Sequence, residues 1–284
     1  MRAALFLFAA TACHNTTAAT TVHQPLTMTY LGVAGWQIEC AGKTILVDPY
    51  FSRPDLDGVI KSDAEAVGTH APKKADLILV GHSHVDHLLD VPATAVASGA
   101  QVMGSASSIA VASAGGVASD HLITVRGGED YQFDGFSVRV IPSLHSALDH
   151  KHATPQGQPI TVIPPVRFDD FADGGTFDYL VRVGGHQIFV SSTANFIERE
   201  VAGLRPDVAI IATGLRQEVT DYTCRLMRLL DRPSTVFATH FDDWKGPPVD
   251  EPLSEDLAAF VREVNGCSPR SRVIVPKHFV ATNL

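Results

Sequence analysis

The sequence predicts an α/β protein in which two β-sheets pack face to face with helices outside. Three observations point there. Short apolar strands separated by glycines open the folded part, alternating helical and strand-like segments follow, and hairpin, helix, strand, helix, strand then comes again in the second half. Periodicity alone leaves other α/β arrangements open. Of the 284 residues, 45% are hydrophobic and 19% charged, the make-up of a packed domain rather than a disordered chain. One domain over 25–284, preceded by a leader and tether over 1–24, is the economical division.

At the N-terminus, Arg2 precedes a short apolar run and a small-residue stretch ending at Cys13, which reads as an export signal. The run falls short of the ~20 apolar residues of a permanent membrane span. Ala10-Thr11-Ala12-Cys13 resembles a bacterial lipoprotein cleavage box, so a periplasmic protein, either free or tethered to the membrane through lipidated Cys13, is expected. The Thr/Ala-rich stretch 15–24 suits a tether.

Strands are predicted at 28–31, 36–40 and 44–47 between Gly32, Gly35 and Gly42, in the rhythm of a meander. An apolar strand at 76–80 delivers the chain to Gly81, and helical character covers 88–98. Strands at 101–104 and 122–125 flank a helix at 107–115, and a strand at 137–142 runs into His145. The proline-rich stretch 149–173 is a long irregular loop, of the kind that is usually functional. Strands 177–183 and 187–191 form a hairpin turning at Gly184-Gly185. Helix 196–203, strand 208–212, helix 221–230, strand 235–239, helix 254–265 and strand 272–275 complete the chain. Cys40, Cys224 and Cys267 form no CxxC pair, so no disulfide framework is expected, and Cys40 reads as a small buried hydrophobe. A formal charge of −9 with scattered basic residues argues against nucleic acid and leaves a small molecule as the expected partner.

Gly81-His82-Ser83-His84-Val85-Asp86-His87 is the strongest local signal. Imidazole and carboxylate are the nitrogen and oxygen ligands of zinc, and a loop at a strand end can turn several of them inward together. His82 and His84, two apart in extended chain, project to one side. Asp86 and His87 fall on the turn into a helix and face a second position.

This motif matches the HxHxDH signature of the metallo-β-lactamase family residue for residue, and the chain resembles that family over about 28–275. The resemblance implies a four-layer αββα sandwich and a metal-dependent hydrolase. It implies that His82, His84 and His145 hold one metal and that Asp86, His87 and His240 hold another, with Asp48 of Leu46-Val47-Asp48-Pro49 supporting the loop. One departure stands out. The family places a metal-bridging Asp after the strand aligned with 187–191, where this chain reads Ser191-Ser192-Thr193-Ala194-Asn195. Asn195 or Thr193 is left as a candidate contact to one metal or its water, and one zinc, or a weak second, is expected. The lost negative ligand also favours an anionic substrate.

Zinc has no redox chemistry, so hydrolysis follows: water held by the His82/His84/His145 metal attacks an ester, lactone, amide or phosphodiester. His84 and Asp86 are the expected catalytic residues, Asp86 as a ligand or proton acceptor. His150, His152 and Trp244 are candidate substrate contacts. Two other classes stay open, an iron-dependent oxidoreductase of the same fold and a non-catalytic exported binding protein.

Overall fold

Side chains that alternate between two faces build both sheets of the computed structural model, which describes residues 23–148, 157–250 and 252–284. The expected leader with Cys13, and His150 and His152, lie outside the described residues. Strands β1 (Leu26–Gly32), β2 (Gly35–Cys40) and β3 (Lys43–Val47) form the expected meander. Then β4 (Leu77–Leu79), β5 (Gln101–Gly104) and β6 (Leu122–Thr124) add parallel to β3. In the second sheet β7 (Asp130–Phe133), β8 (Phe136–Pro142), β9 (Phe177–Val183) and β10 (His186–Val190) are antiparallel. There β11 (Val208–Ala212), β12 (Thr235–Thr239) and β13 (Arg272–Ile274) continue in parallel. The chain ends on β14 (Ala281–Asn283), which closes the first sheet beside β1. The strand orders are β14-β1-β2-β3-β4-β5-β6 and β13-β12-β11-β10-β9-β8-β7.

Leu77 and Leu79 of β4 point between the sheets, where they join Trp36, Val140, Tyr179, Ile188 and Phe237 in the central core. Their neighbours Ile78 and Val80 point outward, against α3 (Val91–Ser98) and α4 (Ala106–Ala114). On the far side α6 (Tyr222–Leu229) and α7 (Glu255–Cys267) bury Leu226, Met227 and Phe260 against Ile211 and Val236. The layers are therefore helix, sheet, sheet, helix, the four-layer sandwich that the resemblance implies. No helix among the described residues is long and apolar enough to cross a membrane.

Several local expectations need correction. A short helix at Ala64–His70, capped by the Asp63 carboxylate, and strands β7 and β14 lie where no element was predicted. The predicted helix 88–98 is two helices, Val85–Leu88 and Val91–Ser98. Pro92 has no N–H to continue the first helix and suits the opening turn of the second. Buried Asp90 fixes the junction by accepting from the backbone N–H groups of Phe51 and Ser52 at 2.7 Å each. The helix expected over 196–203 is only Glu198–Val201. Cys224 and Cys267 form a disulfide, which pins α6 to α7, where no pairing was expected. Their separation of 43 residues hid the pair, because only the packing of the two helices brings them together. Cys40 is free and buried, as expected.

Candidate metal centre

The carboxyl ends of parallel strands are where loops gather and ligands bind in α/β sheets, and both sheets direct such ends to one edge. Asp48 follows β3, the His82–His87 segment follows β4, His145 follows β8, Thr193 follows β10, and His240 follows β12. Gly81 is required where the two sheets meet, since a Cβ there would collide with Ser192 Oγ. His84 stands in extended backbone, and the single helical turn Val85–Leu88 then swings Asp86 and His87 inward.

The six expected ligands converge in two groups. His82, His84 and His145 place their ligand atoms within 4.8 Å of one another, as do Asp86, His87 and His240. His82 Nε2 lies 3.1 Å from His84 Nδ1. In the second group the Asp86 Oδ2 atom is 3.4 Å from Nε2 of both His87 and His240. The rings of His82 and His87, one from each group, lie 3.8 Å apart between centroids. A third group, His23, His186 and Asp207, is a hydrogen-bonded strut instead. There His186 Nδ1 donates to Asp207 at 2.6 Å and Nε2 meets the Gln24 carbonyl at 2.9 Å, which engages both ring nitrogens.

Neighbouring groups orient the imidazoles. Nδ1 of His87 donates to Asp48 Oδ2 at 2.8 Å, and Asp48 Oδ1 accepts from the Gly81 N–H at 2.7 Å. Asp48 therefore supports the loop from beneath. His145 Nδ1 donates to the Ser146 carbonyl at 2.9 Å. Each of these bonds leaves Nε2 as the ligand nitrogen, the arrangement typical of metal-binding histidines. His240 is held by its N–H, which donates to Val33 O at 2.6 Å, and by Thr239, whose Oγ1 accepts from Trp36 Nε1 and donates to the same carbonyl, each at 2.9 Å. Asp48 and His240 both adopt left-handed backbone, at φ 39° and 55°, strain of the kind that concentrates at functional sites.

The electrostatics suit a cation. Burial lowers His82 well below its ordinary value, His84 to about 4, and His145 in the same direction, so this group offers neutral imidazoles. In the other group burial works to raise Asp86, but the charge of His87 and the approach of the His87 and His240 rings to 3.4 Å outweigh it and hold the carboxyl ionised. Burial likewise works against protonated His87, yet Asp86 and Asp48 on either side raise it to about 10. His82 Nδ1 and His87 Nε2 are buried with no hydrogen-bond partner, which is costly unless another species engages them. The nitrogen-rich donor set, the convergence and these unpartnered atoms together fit a divalent metal ion.

The turn after β10 is where the sequence reading needs revision. The Asn195 amide is expected as a contact to metal or water, but Nδ2 donates to the His145 carbonyl at 3.0 Å and Oδ1 accepts from the Phe196 N–H at 2.9 Å. Both arms are engaged, so Asn195 positions the His145 loop from behind. Thr193 does line the cavity, where its Oγ1 accepts from the Ser146 N–H at 3.0 Å. The residue that packs against the metal loop is Ser192, whose buried Oγ has no hydrogen-bond partner. Its composition as a serine among small polar residues gave no signal. Tyr179 was also missed, and it ties the sheets by donating from its hydroxyl to Val80 O at 2.7 Å.

Above the ligands opens a cavity of about 680 Å³. Trp244 lines it and stacks on Phe168 at 5.9 Å between ring centroids. Phe168 and Phe171 come from the proline-rich loop that the sequence marked as functional without naming them.

The family model for the beta-lactamase superfamily domain matches residues 27–214. A "UPF0173 metal-dependent hydrolase" of Pelotomaculum thermopropionicum is 29% identical over 236 residues, covering 82% of this chain and 90% of that protein. Another of Polynucleobacter asymbioticus is 29% identical over 247 residues, covering 81% and 78%. Among solved structures, Igni18, a metallo hydrolase from Ignicoccus hospitalis, superposes with a TM-score of 0.64 at 19% identity, covering 92% of this chain and 98% of that one. With the matched region spanning the whole His82–His87 motif and the sandwich built around it, the chain belongs to the metallo-β-lactamase-fold superfamily.

Proposed function

We propose that this protein is a zinc-dependent hydrolase that acts on a small molecule through water attack on an ester, lactone, amide or phosphodiester bond. The observation that carries the reading is the convergence of six ligand-type side chains, drawn from both sheets, on the floor of one cavity. His82, His84 and His145 would hold one ion, and Asp86, His87 and His240 a weaker second one. Bound zinc supplies hydroxide near neutral pH and polarises the oxygen of the scissile group. The chain's own contribution is to fix the His87 and His145 rings through Asp48 and Ser146 O and the His240 backbone through Val33 O, and to keep Asp86 ionised as a ligand or proton acceptor. Export is part of the proposal, to the periplasm free or tethered through lipidated Cys13. The Cys224–Cys267 bond supports it, because disulfides persist mainly in oxidising compartments.

Elemental analysis of the purified full chain, with a panel of lactone, ester, phosphodiester and cephalosporin substrates, tests the reading. Tightly bound zinc and hydrolysis that is lost on chelation and restored by zinc are expected. Undiminished hydrolysis after complete metal removal, or none with zinc bound, would overturn it.

A further inference from the structure

We infer that the site takes an uncharged carboxylic ester, lactone or amide bearing an aryl or medium-chain acyl arm; this rests on the hydrolase reading above. Apolar side chains at a rim exposed to water are the first ground. Leu148, Phe168 and Leu215 are 38%, 43% and 43% exposed, come from three separate segments, and ring the same cavity. Large apolar groups gathered around a concave site mark where a ligand removes them from water. Phe168 and Trp244 are nearly parallel, at 22°, Phe171 packs in the same apolar cluster as Trp244, and the three give the cavity an aromatic wall. A flat ring or an acyl chain lies against such a wall while its carbonyl reaches the histidines.

Charge is the second ground. Among the described residues, no Lys or Arg lines the cavity, whereas Asp169, Asp242 and Asp256 do. Asp256 is paired with Arg216 at 2.7 Å and Asp242 with His278 at 2.9 Å, but Asp169 is exposed and has no ion-pair partner among the described residues. The metal charge alone would favour an anionic substrate, but exposed Asp169 adds an uncompensated carboxylate that opposes an incoming anion. Phosphodiesters and carboxylated acyl chains are thereby disfavoured. In the reaction, the water oxygen bonds to the acyl carbon, the bond from that carbon to the leaving oxygen or nitrogen breaks, and the departing group takes a proton from the water.

The test compares zinc-loaded protein on p-nitrophenyl acetate, p-nitrophenyl octanoate, the octanoate analogue ending in a carboxylate, and bis(p-nitrophenyl) phosphate. A neutral, non-hydrolysable aryl heptyl ketone is titrated separately into zinc-loaded and chelated protein by calorimetry. The octanoate is expected to exceed both the acetate and the carboxylated analogue in kcat/KM by about tenfold or more, the scale of burying a few methylenes. Phe168→Ala and Trp244→Ala should each shrink the octanoate-to-acetate ratio several-fold and weaken ketone binding with or without zinc. Equal or better turnover of the anionic substrates, indifference to chain length, or ketone binding unchanged in both variants would overturn the inference while leaving a hydrolase. Ketone binding that depends on Phe168 and Trp244, with no substrate of any class hydrolysed, would instead overturn the hydrolase reading and retain the apolar site.

Discussion

The first sheet supplies His82, His84, Asp86 and His87 from one short stretch, whereas the second supplies His145 and His240 from strand ends far apart in the chain. Their supports differ in the same way. Beneath the contiguous side, Asp48 alone fixes both the Gly81 N–H and the His87 ring. On the dispersed side, His145 is backed by Asn195, and His240 depends on Val33 and Trp36 of the opposite sheet. Ligands that are neighbours in sequence can share one buried carboxylate as an anchor. Ligands that arrive separately need bonds that exist only after the sheets have packed, so their precision is a tertiary property.

The largest effects should come from the ligands themselves. Replacing His84 by Ala is expected to abolish tight metal binding and to lower kcat/KM by about 10³-fold or more, since the lost charge stabilisation amounts to several kcal/mol. His240→Ala should keep the ion held by His82, His84 and His145, leaving one tight equivalent by elemental analysis with a smaller loss of activity. If His240→Ala lost all metal while His84→Ala kept it, the contrast between the two sides would be reversed. The dispersed side is also the one tied covalently, at α6 and α7. Converting both Cys224 and Cys267 to Ser should therefore cost about 2–4 kcal/mol in urea unfolding, and an unchanged midpoint would deny the bond any part in holding that side.

The supports sharpen the comparison at the next scale down. Asp48→Asn removes the carboxylate charge and leaves one acceptor oxygen for two donors, the Gly81 N–H and the His87 Nδ1–H, and should weaken metal binding about 10- to 100-fold in chelator competition. Asn195→Ala removes two neutral hydrogen bonds, of which only the one to the His145 carbonyl, about 1 kcal/mol, reaches a ligand, and should weaken metal binding less than tenfold. An Asn195 effect larger than that of Asp48 would mean that the loop after β8, not the β3 end, is the principal anchor.

This difference between the sides also explains how much could be read beforehand. The His82–His87 motif was legible because strand, loop and helical turn are local, and the spacing alone assigns faces. Several strands, Gln101–Gly104, Phe177–Val183, Val208–Ala212 and Thr235–Thr239, were legible to the residue because each is a buried apolar run bounded by turns. His145 and His240 were placed through the family resemblance, which encodes the tertiary packing that periodicity lacks. Asn195 was misjudged because an amide three residues past a metal-edge turn looks available until the His145 carbonyl appears behind it. The aromatic wall and the disulfide were illegible for one reason: Phe168 with Trp244 and Cys224 with Cys267 become neighbours only when distant segments dock. Short edge elements such as β7 and β14 carry little apolar pattern of their own, since their neighbours define them.

The smallest expected effect concerns a bond network just behind His240, where the two sheets are joined by charge. His278 Nε2 lies 2.9 Å from Asp242 and Nδ1 lies 3.0 Å from Asp250, so both ring nitrogens face carboxylate oxygens and only the protonated ring donates to both. Tyr30 also donates to Asp242, Lys277 adjoins in sequence, and the Arg53 guanidinium approaches across Gly32. Burial works to lower His278, but the bonds to Asp242 and Asp250 prevail and raise it above its ordinary 6.5. A group whose proton is held more tightly in the folded state stabilises fully below its unfolded value and loses that contribution as pH climbs through the folded one. His278→Gln, which keeps one donor, should therefore unfold more easily than the parent by about 1 kcal/mol below pH 6.5, with Asp250 half-exposed and its share screened. The gap should close as pH rises above that value. A gap that stays constant from about pH 5 to about pH 9 would show that the ring acts there as a neutral hydrogen-bonding spacer, and that the joint behind His240 is held by Tyr30 and Val33 alone.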